Sequence, residues 1–180
     1  MRNFLKIAEG VDVLPLLMAV HHHPELWGED KARVTFDNSP HADVQDILLR
    51  FSDTTAENIG DQLICKNLEA MKILHQARPI INAIMARVNG EILCRVMITK
   101  LASGKAILPH SDIIGLYANS MRRFHVPLQS GEGCMFRAGD EIISMKAGEV
   151  WDFNAHAEHE VVNNSNDDRI HLIIDIMVSE

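Results

Sequence analysis

From Glu91 onward, short apolar runs alternate with turn-forming clusters. The runs are "ILCRVMITKL", "AILPHSD", "RRFHVPLQS", "CMFRA", "EIISMK", "GEVWDFN", "HEVVNN" and "RIHLIIDIMV". Between several of them stand "ASGK", "SGEG", "AGDE", "KAGE" and "NSNDD". Strands of this length, evenly punctuated, predict a sandwich or barrel of the jelly-roll or cupin type. Before Glu91 the period changes. "VDVLPLLMAVHH" predicts an amphipathic helix with Pro15 in its first turn. "DILLRF" predicts a short strand. "NIGDQLICKNLEAMKILHQA" has apolar residues at helical spacing, and "RPIINAIMARVNGE" continues as a second helix stopped by Asn89-Gly90. The expectation is a mainly β chain with a helical N-terminal half. Residues 1–90, mostly helical, would pack on a β core of residues 91–180. With no flexible linker between them, 1–180 reads as one domain.

Composition narrows the function. The chain is 47% hydrophobic, enough for a sizeable core, and carries a formal charge of −8 with no block of lysine or arginine. A main task on nucleic-acid backbones is therefore not expected. No apolar run approaches the roughly 20 residues that span a bilayer. The opening "MRNFLKIAEGVDVLPLLMAV" is interrupted by acidic residues and lacks a small-residue cleavage site. A cytoplasmic location with no membrane partner is the expectation. Cys65, Cys94 and Cys134 are odd in number and widely spaced, which predicts buried free thiols.

The candidate chemistry begins at "LPHSDI". On a strand, His110 and Asp112 would face the same side and reach one metal ion. Two histidines and one carboxylate on one face of a metal leave open positions, an arrangement that suits non-haem Fe(II) oxygenases. Three histidines downstream can complete the set: His156, His159 and His171. His156 falls in a turn, whereas His159 opens a β-branched run. On a continuous strand the two would face opposite sides, and Glu158 and Glu160 would lie opposite His159. Arg169 opens the last strand, placed to grip a carboxylate bidentately, and His171 shares its face. Arg123 and His125 share one face of "RRFHVPL". His21 to His23 end a helix, where cationic side chains suit the dipole. Arg33, His41 and Arg50 are candidates for a pocket wall, and "IIGLYANSM" for a lid or substrate loop.

"LPHSD", "RRFHVPL" and "HAEHEVVNNSNDDRIHLIIDI", in that order, resemble the aspartyl/asparaginyl β-hydroxylase family over roughly residues 91–177. That resemblance implies a double-stranded β-helix and an Fe(II)- and 2-oxoglutarate-dependent dioxygenase. It implies that His110, Asp112 and His159 hold the iron and that Arg169 pairs with the distal carboxylate of 2-oxoglutarate. It further implies that His125 contacts the cosubstrate's other end and Thr99 assists its binding. Arg123 would hold an acidic substrate group. The animal enzymes that name the family lack the metal carboxylate. Asp112 supplies it here, as in bacterial free-amino-acid hydroxylases similar to the same family. The implied reaction hydroxylates an amino acid, free or within a peptide, with O2 consumed and succinate and CO2 as coproducts. The competing expectation is a non-oxygenase metal cupin, an isomerase or small-molecule binding module, using the same triad. Arg169 and His125 discriminate the two, because such a cupin has no need of two cationic groups around the metal.

Overall fold

The strands expected after Glu91 all form, and three more from the first half join them. The computed structural model describes residues 2–29, 39–52, 64–112 and 121–178. In chain order the elements are β1 (Phe4–Ala8), α1 (Leu14–His22), β2 (Val44–Phe51), β3 (Lys66–Asn67), α2 (Ala70–Ile73) and α3 (Ala77–Arg87). Then follow β4 (Gly90–Leu101), β5 (Ala106–His110), β6 (Met121–Gln129), β7 (Cys134–Ala138), β8 (Glu141–Ile143), β9 (Val150–Phe153), β10 (His159–Asn163) and β11 (Arg169–Val178). Among its described residues the first half thus alternates helices with strands rather than being mostly helical, with β3 at Lys66–Asn67 inside the helix expected of "NIGDQLICKNLEAMKILHQA". β1 escapes the sequence pattern because it is a short edge strand with only Phe4 buried.

The strands form two antiparallel sheets. One has the order β1-β9-β6-β11-β4-β2-β3 and the other β5-β10-β7-β8. The centre of the large sheet is decided by β11, whose ten residues are nearly all buried. A strand buried on both faces reads as a continuous apolar run, so its two faces are hidden in the sequence. Ile170, Leu172, Ile174 and Ile176 face a core shared with Leu16 and Val20 of α1, Met71 of α2 and Ile80, Ile81 and Ile84 of α3. Each such side chain contributes about 1.5–3 kcal/mol when fully buried. The alternate residues, Arg169, His171, Ile173 and Asp175, point to the other side, toward the small sheet.

Between the sheets lies a second core. Phe4, Leu101, Met121 and Phe153 of the large sheet meet Ile107, Phe136, Ala138 and Val161 of the small one. Phe136 is the hub, with ring centroids 5.1 Å from Phe4 and 4.8 Å from Phe153. Turn chemistry closes the frame. α3 ends where Asn89 takes φ 51°, the left-handed stop that asparagine tolerates. Gly148 sits at φ 80° with Val11 O 2.8 Å from where a Cβ would stand, so no side chain fits there. Among the described residues no helix is long and apolar enough to cross a membrane. All three cysteines are free and buried, and burial pushes the Cys94 thiol up to about 11.

Candidate metal centre and active site

The inter-sheet space opens at one end into a small cavity. Polar residues gather at this end. His110 is the last residue of β5, and His159, the first of β10, lies directly opposite it in the strand pairing. Their ring centroids are 4.2 Å apart. Asp112 lies two residues beyond β5. It is placed less by the strand pleat than by its backbone N–H, which donates to Ala155 O at 3.0 Å.

The two imidazoles are oriented alike. His110 Nδ1 is 2.7 Å from Leu108 O and His159 Nδ1 is 2.9 Å from Ala157 O. Each ring therefore carries its proton on Nδ1 and presents an Nε2 lone pair. His110 Nε2 is 3.8 Å from Asp112 Oδ1, and His159 Nε2 is 3.9 Å from Asp112 Oδ2. All three donor atoms lie within 4.8 Å of one another. Ligands about 2.0–2.2 Å from one ion stand about 3–4 Å apart, so this set fits a divalent metal with little adjustment. Burial pushes the His159 imidazole down to about 4, so it is neutral and ready to ligate at neutral pH. His156 is exposed in the turn before β10, with its N–H on Asn154 Oδ1. Glu158 and Glu160 are engaged by Arg137.

At another part of the cavity wall stands Arg169, 2% exposed. Its Nη2 donates to His171 Nδ1 at 3.0 Å, and its guanidinium lies 5.7 Å from the Phe136 ring centre. Burial lowers it to about 10, and among the described residues no carboxylate acts on it. A buried cation without a counter-ion is costly, and this one lines an open cavity. His125 is 5% exposed, with its Nδ1 3.4 Å from His171 Nδ1. Burial, then Arg169 and Arg123, hold His125 well below its ordinary value; burial and Arg169 do the same to His171. His171 Nδ1 accepts from Arg169, which places the ring proton on Nε2. That buried atom has no protein partner.

The remaining residues singled out by the sequence fall in several places. Thr99 lines the cavity, but its hydroxyl donates to Asp46 Oδ1 at 2.8 Å, so only its lone pairs face a ligand. Arg123 lines the cavity too, with its guanidinium between Asp175 and Asp112. His41 stacks edge-on against His110 at 4.6 Å and completes the wall. Arg50 does not reach the site; it donates to Leu93 O and Asn67. Arg33 and most of "IIGLYANSM" lie outside the described residues. His23, at the end of α1, pairs with Glu25. Sequence reasoning passed over Asp175, Phe136 and Phe153. Asp175 has a legible signal: it is the one acid in the apolar run "RIHLIIDIMV", and it keeps the two-residue phase of Arg169.

The model of the aspartyl/asparaginyl β-hydroxylase family matches residues 64–178, which contain every cavity-lining residue except His41. The chain belongs to this family. Among curated relatives, an L-proline cis-4-hydroxylase of Rhizobium meliloti (strain 1021) is 33% identical over 78 residues, 43% of this chain and 28% of that protein. An L-proline cis-3-hydroxylase of a Streptomyces species is 31% identical over 101 residues, 54% of this chain and 34% of that protein. The chain thus matches about a third of the length of these relatives. Among solved structures, an oxidoreductase of the 2OG-Fe(II) oxygenase family from Burkholderia pseudomallei has a TM-score of 0.61 at 12% identity, covering 97% of this chain and 84% of that one. A Pseudomonas putida prolyl-4-hydroxylase has a TM-score of 0.58 at 12% identity, covering 100% and 95%. These likenesses identify the fold as the jelly roll of such oxygenases.

Proposed function

We propose that the protein is an Fe(II)- and 2-oxoglutarate-dependent oxygenase that hydroxylates an amino acid, free or within a peptide. The observation that carries this reading is Arg169: a buried guanidinium with no carboxylate partner among the described residues, lining the same cavity as His110, Asp112 and His159. A metal cupin without a carboxylate cosubstrate has no use for it. Charge supports the same reading. Of the described charged side chains lining the cavity, with Asp175 counted as the partner of Arg123, two cations (Arg123 and Arg169) balance two carboxylates (Asp112 and Asp175). A divalent cation and a dianionic cosubstrate, bound together, preserve that neutrality in a low-dielectric site.

His110, Asp112 and His159 would hold iron. When bound, iron supplies the redox chemistry that couples O2 and 2-oxoglutarate to hydroxylation, giving succinate, CO2 and a C–OH in place of C–H. Arg169 would grip the distal carboxylate, and His171 Nε2–H, otherwise unpartnered, would donate to it or to a bridging water. His125, neutral, would contact the cosubstrate's other end. Ile107, Phe136, Phe153, Val161 and Ile173 supply the apolar part of the cavity wall. The 31–33% identity to two proline hydroxylases makes free proline the first substrate to test, followed by other free amino acids and short acidic peptides.

The test is succinate formation from 2-oxoglutarate with Fe(II) and ascorbate, with and without each amino acid. Turnover stimulated by one of them, with a product heavier by one oxygen, supports the proposal. Metal binding with neither 2-oxoglutarate binding nor turnover overturns it in favour of the non-oxygenase cupin.

A further inference from the structure

The family resemblance gives Arg123 to an acidic substrate group. Its contacts lead elsewhere. Arg123 on β6 is paired across the strands with Asp175 on β11. Arg123 Nε donates to Asp175 Oδ1 at 2.7 Å and Nη2 to Oδ2 at 2.8 Å, a two-pronged fork onto a carboxylate with no exposure to solvent. The third branch, Nη1, donates to Asp112 Oδ2. Burial opposes the charge of Arg123, but Asp175 and Asp112 outweigh it and hold the guanidinium protonated.

We infer that Asp175 and Arg123 form a positioning relay that orients Asp112 for the metal. The inference rests on the reading of His110, Asp112 and His159 as metal ligands, and it needs nothing of the oxygenase chemistry. Three physical arguments carry it. First, Asp112 lies past the end of β5: its backbone N–H is held by Ala155 O, and its carboxylate needs support of its own. Arg123, clamped by its fork to the central strand, supplies that support. Second, the contact occupies Oδ2 and leaves Oδ1, the oxygen nearer His110, for the metal. Coordination through one oxygen keeps the opposite positions open. Third, the charges matter. A lone arginine beside a ligand carboxylate would weaken its hold on a cation. Asp175 cancels that charge, so the three groups together retain one net negative charge for the metal. A cluster of net negative charge attracts a cation. Arg123 is accordingly a positioning residue for Asp112.

The experiment measures binding of Mn(II) alone, by calorimetry and by the loss of the free-ion electron paramagnetic resonance signal, with neither 2-oxoglutarate nor amino acid present. Wild type, Asp175→Asn, Arg123→Lys and Arg123→Gln are compared after circular dichroism confirms folding. Disturbing groups that hold a metal ligand typically costs 10–100-fold in affinity, and losses of that size are expected in all three variants. Unchanged Mn(II) affinity together with a raised KM for the amino-acid substrate overturns the relay and restores the substrate role. Should the variants fail to fold, a crystal structure of metal-loaded wild type decides. Asp112 bound through one oxygen with Arg123 on the other supports the relay; Arg123 turned from Asp112 into the cavity overturns it. Weakened Mn(II) binding in the variants, alongside no succinate formation by wild type, would sink the oxygenase proposal and leave the relay standing.

Discussion

His159 faces His110 across the β5–β10 pairing, and each ring is locked by a backbone carbonyl two residues before it, at 2.9 and 2.7 Å. The same local device on two antiparallel strands turns both Nε2 atoms toward Asp112. Neither ring must reorganise to bind a metal.

His159→Ala removes one of these donors and should lower metal-dependent succinate formation by about 100-fold or more, at least as much as losing a group that merely supports a ligand. His156→Ala, in the exposed turn nearby, should retain most of it. Steady-state succinate assays on both variants check this. A dead His156→Ala enzyme beside an active His159→Ala enzyme would refute the ligand assignment.

Arg169→Met should separate function from stability. Truncating one partner of a buried charged pair costs about 2–5 kcal/mol of binding, so the apparent affinity for 2-oxoglutarate should fall about 30-fold or more while Mn(II) affinity stays near wild type. Because no described residue gives this buried cation a counter-ion, the variant should also be more stable than wild type when no ligand is present. Calorimetric titration and urea unfolding test the two halves. Equal losses of metal and cosubstrate affinity would remove Arg169 from its role.

The buried imidazoles make stability depend on pH. His125 and His171 are both held well below 6.5, and His159 at about 4. Below pH 6.5 the unfolded chain binds protons at these positions that the folded chain refuses, so stability rises with pH there. The metal-free protein should have its full contribution from these groups above about pH 6.5 and lose it as pH falls toward the folded values. Urea midpoints from pH 7.5 to 5 measure the slope. His171→Gln should make it shallower; an unchanged slope would show that His171 does not take part.

Asn163 anchors the turn that delivers Arg169. Fully buried, it donates to Leu101 O at 3.0 Å and Asp167 O at 2.9 Å, and its Oδ1 accepts from the Ser165 backbone and hydroxyl and from the Cys134 thiol. Each group left unpaired in the interior costs about 1–3 kcal/mol. Asn163→Ala should therefore destabilise the protein by at least about 2 kcal/mol in urea unfolding. A loss under about 0.5 kcal/mol would mean the turn holds without it.

The strands after Glu91 were legible because turn residues punctuate them and their apolar runs have strand length. The α1 and α3 helices were legible from their spacing, as was the stop at Asn89. β1 was not, because a short edge strand buries one residue of five and leaves no alternation to read. In the candidate site, the order His110, Asp112, His125, His159, Arg169 stands in the primary sequence. The part played by Asp175 does not, since β11 is buried on both faces and nothing local says which of its residues meet Arg123.

By itself, then, the sequence determined the type of the chain: a run of short strands closing into a β jelly roll, with motifs that resemble the aspartyl/asparaginyl β-hydroxylase family. These are local properties, carried by periodicity, turn chemistry and residue type. Only the tertiary structure decided the partnerships. The pairing of β5 with β10 brings His159 to His110. The pairing of β6 with β11 sets Arg123 onto Asp175 and from there onto Asp112. The loop before β2 lays His41 against His110. Most of these contacts join residues dozens of positions apart, and strand register is settled by the packing of whole sheets, where a slip of one residue would turn every side chain to the other face.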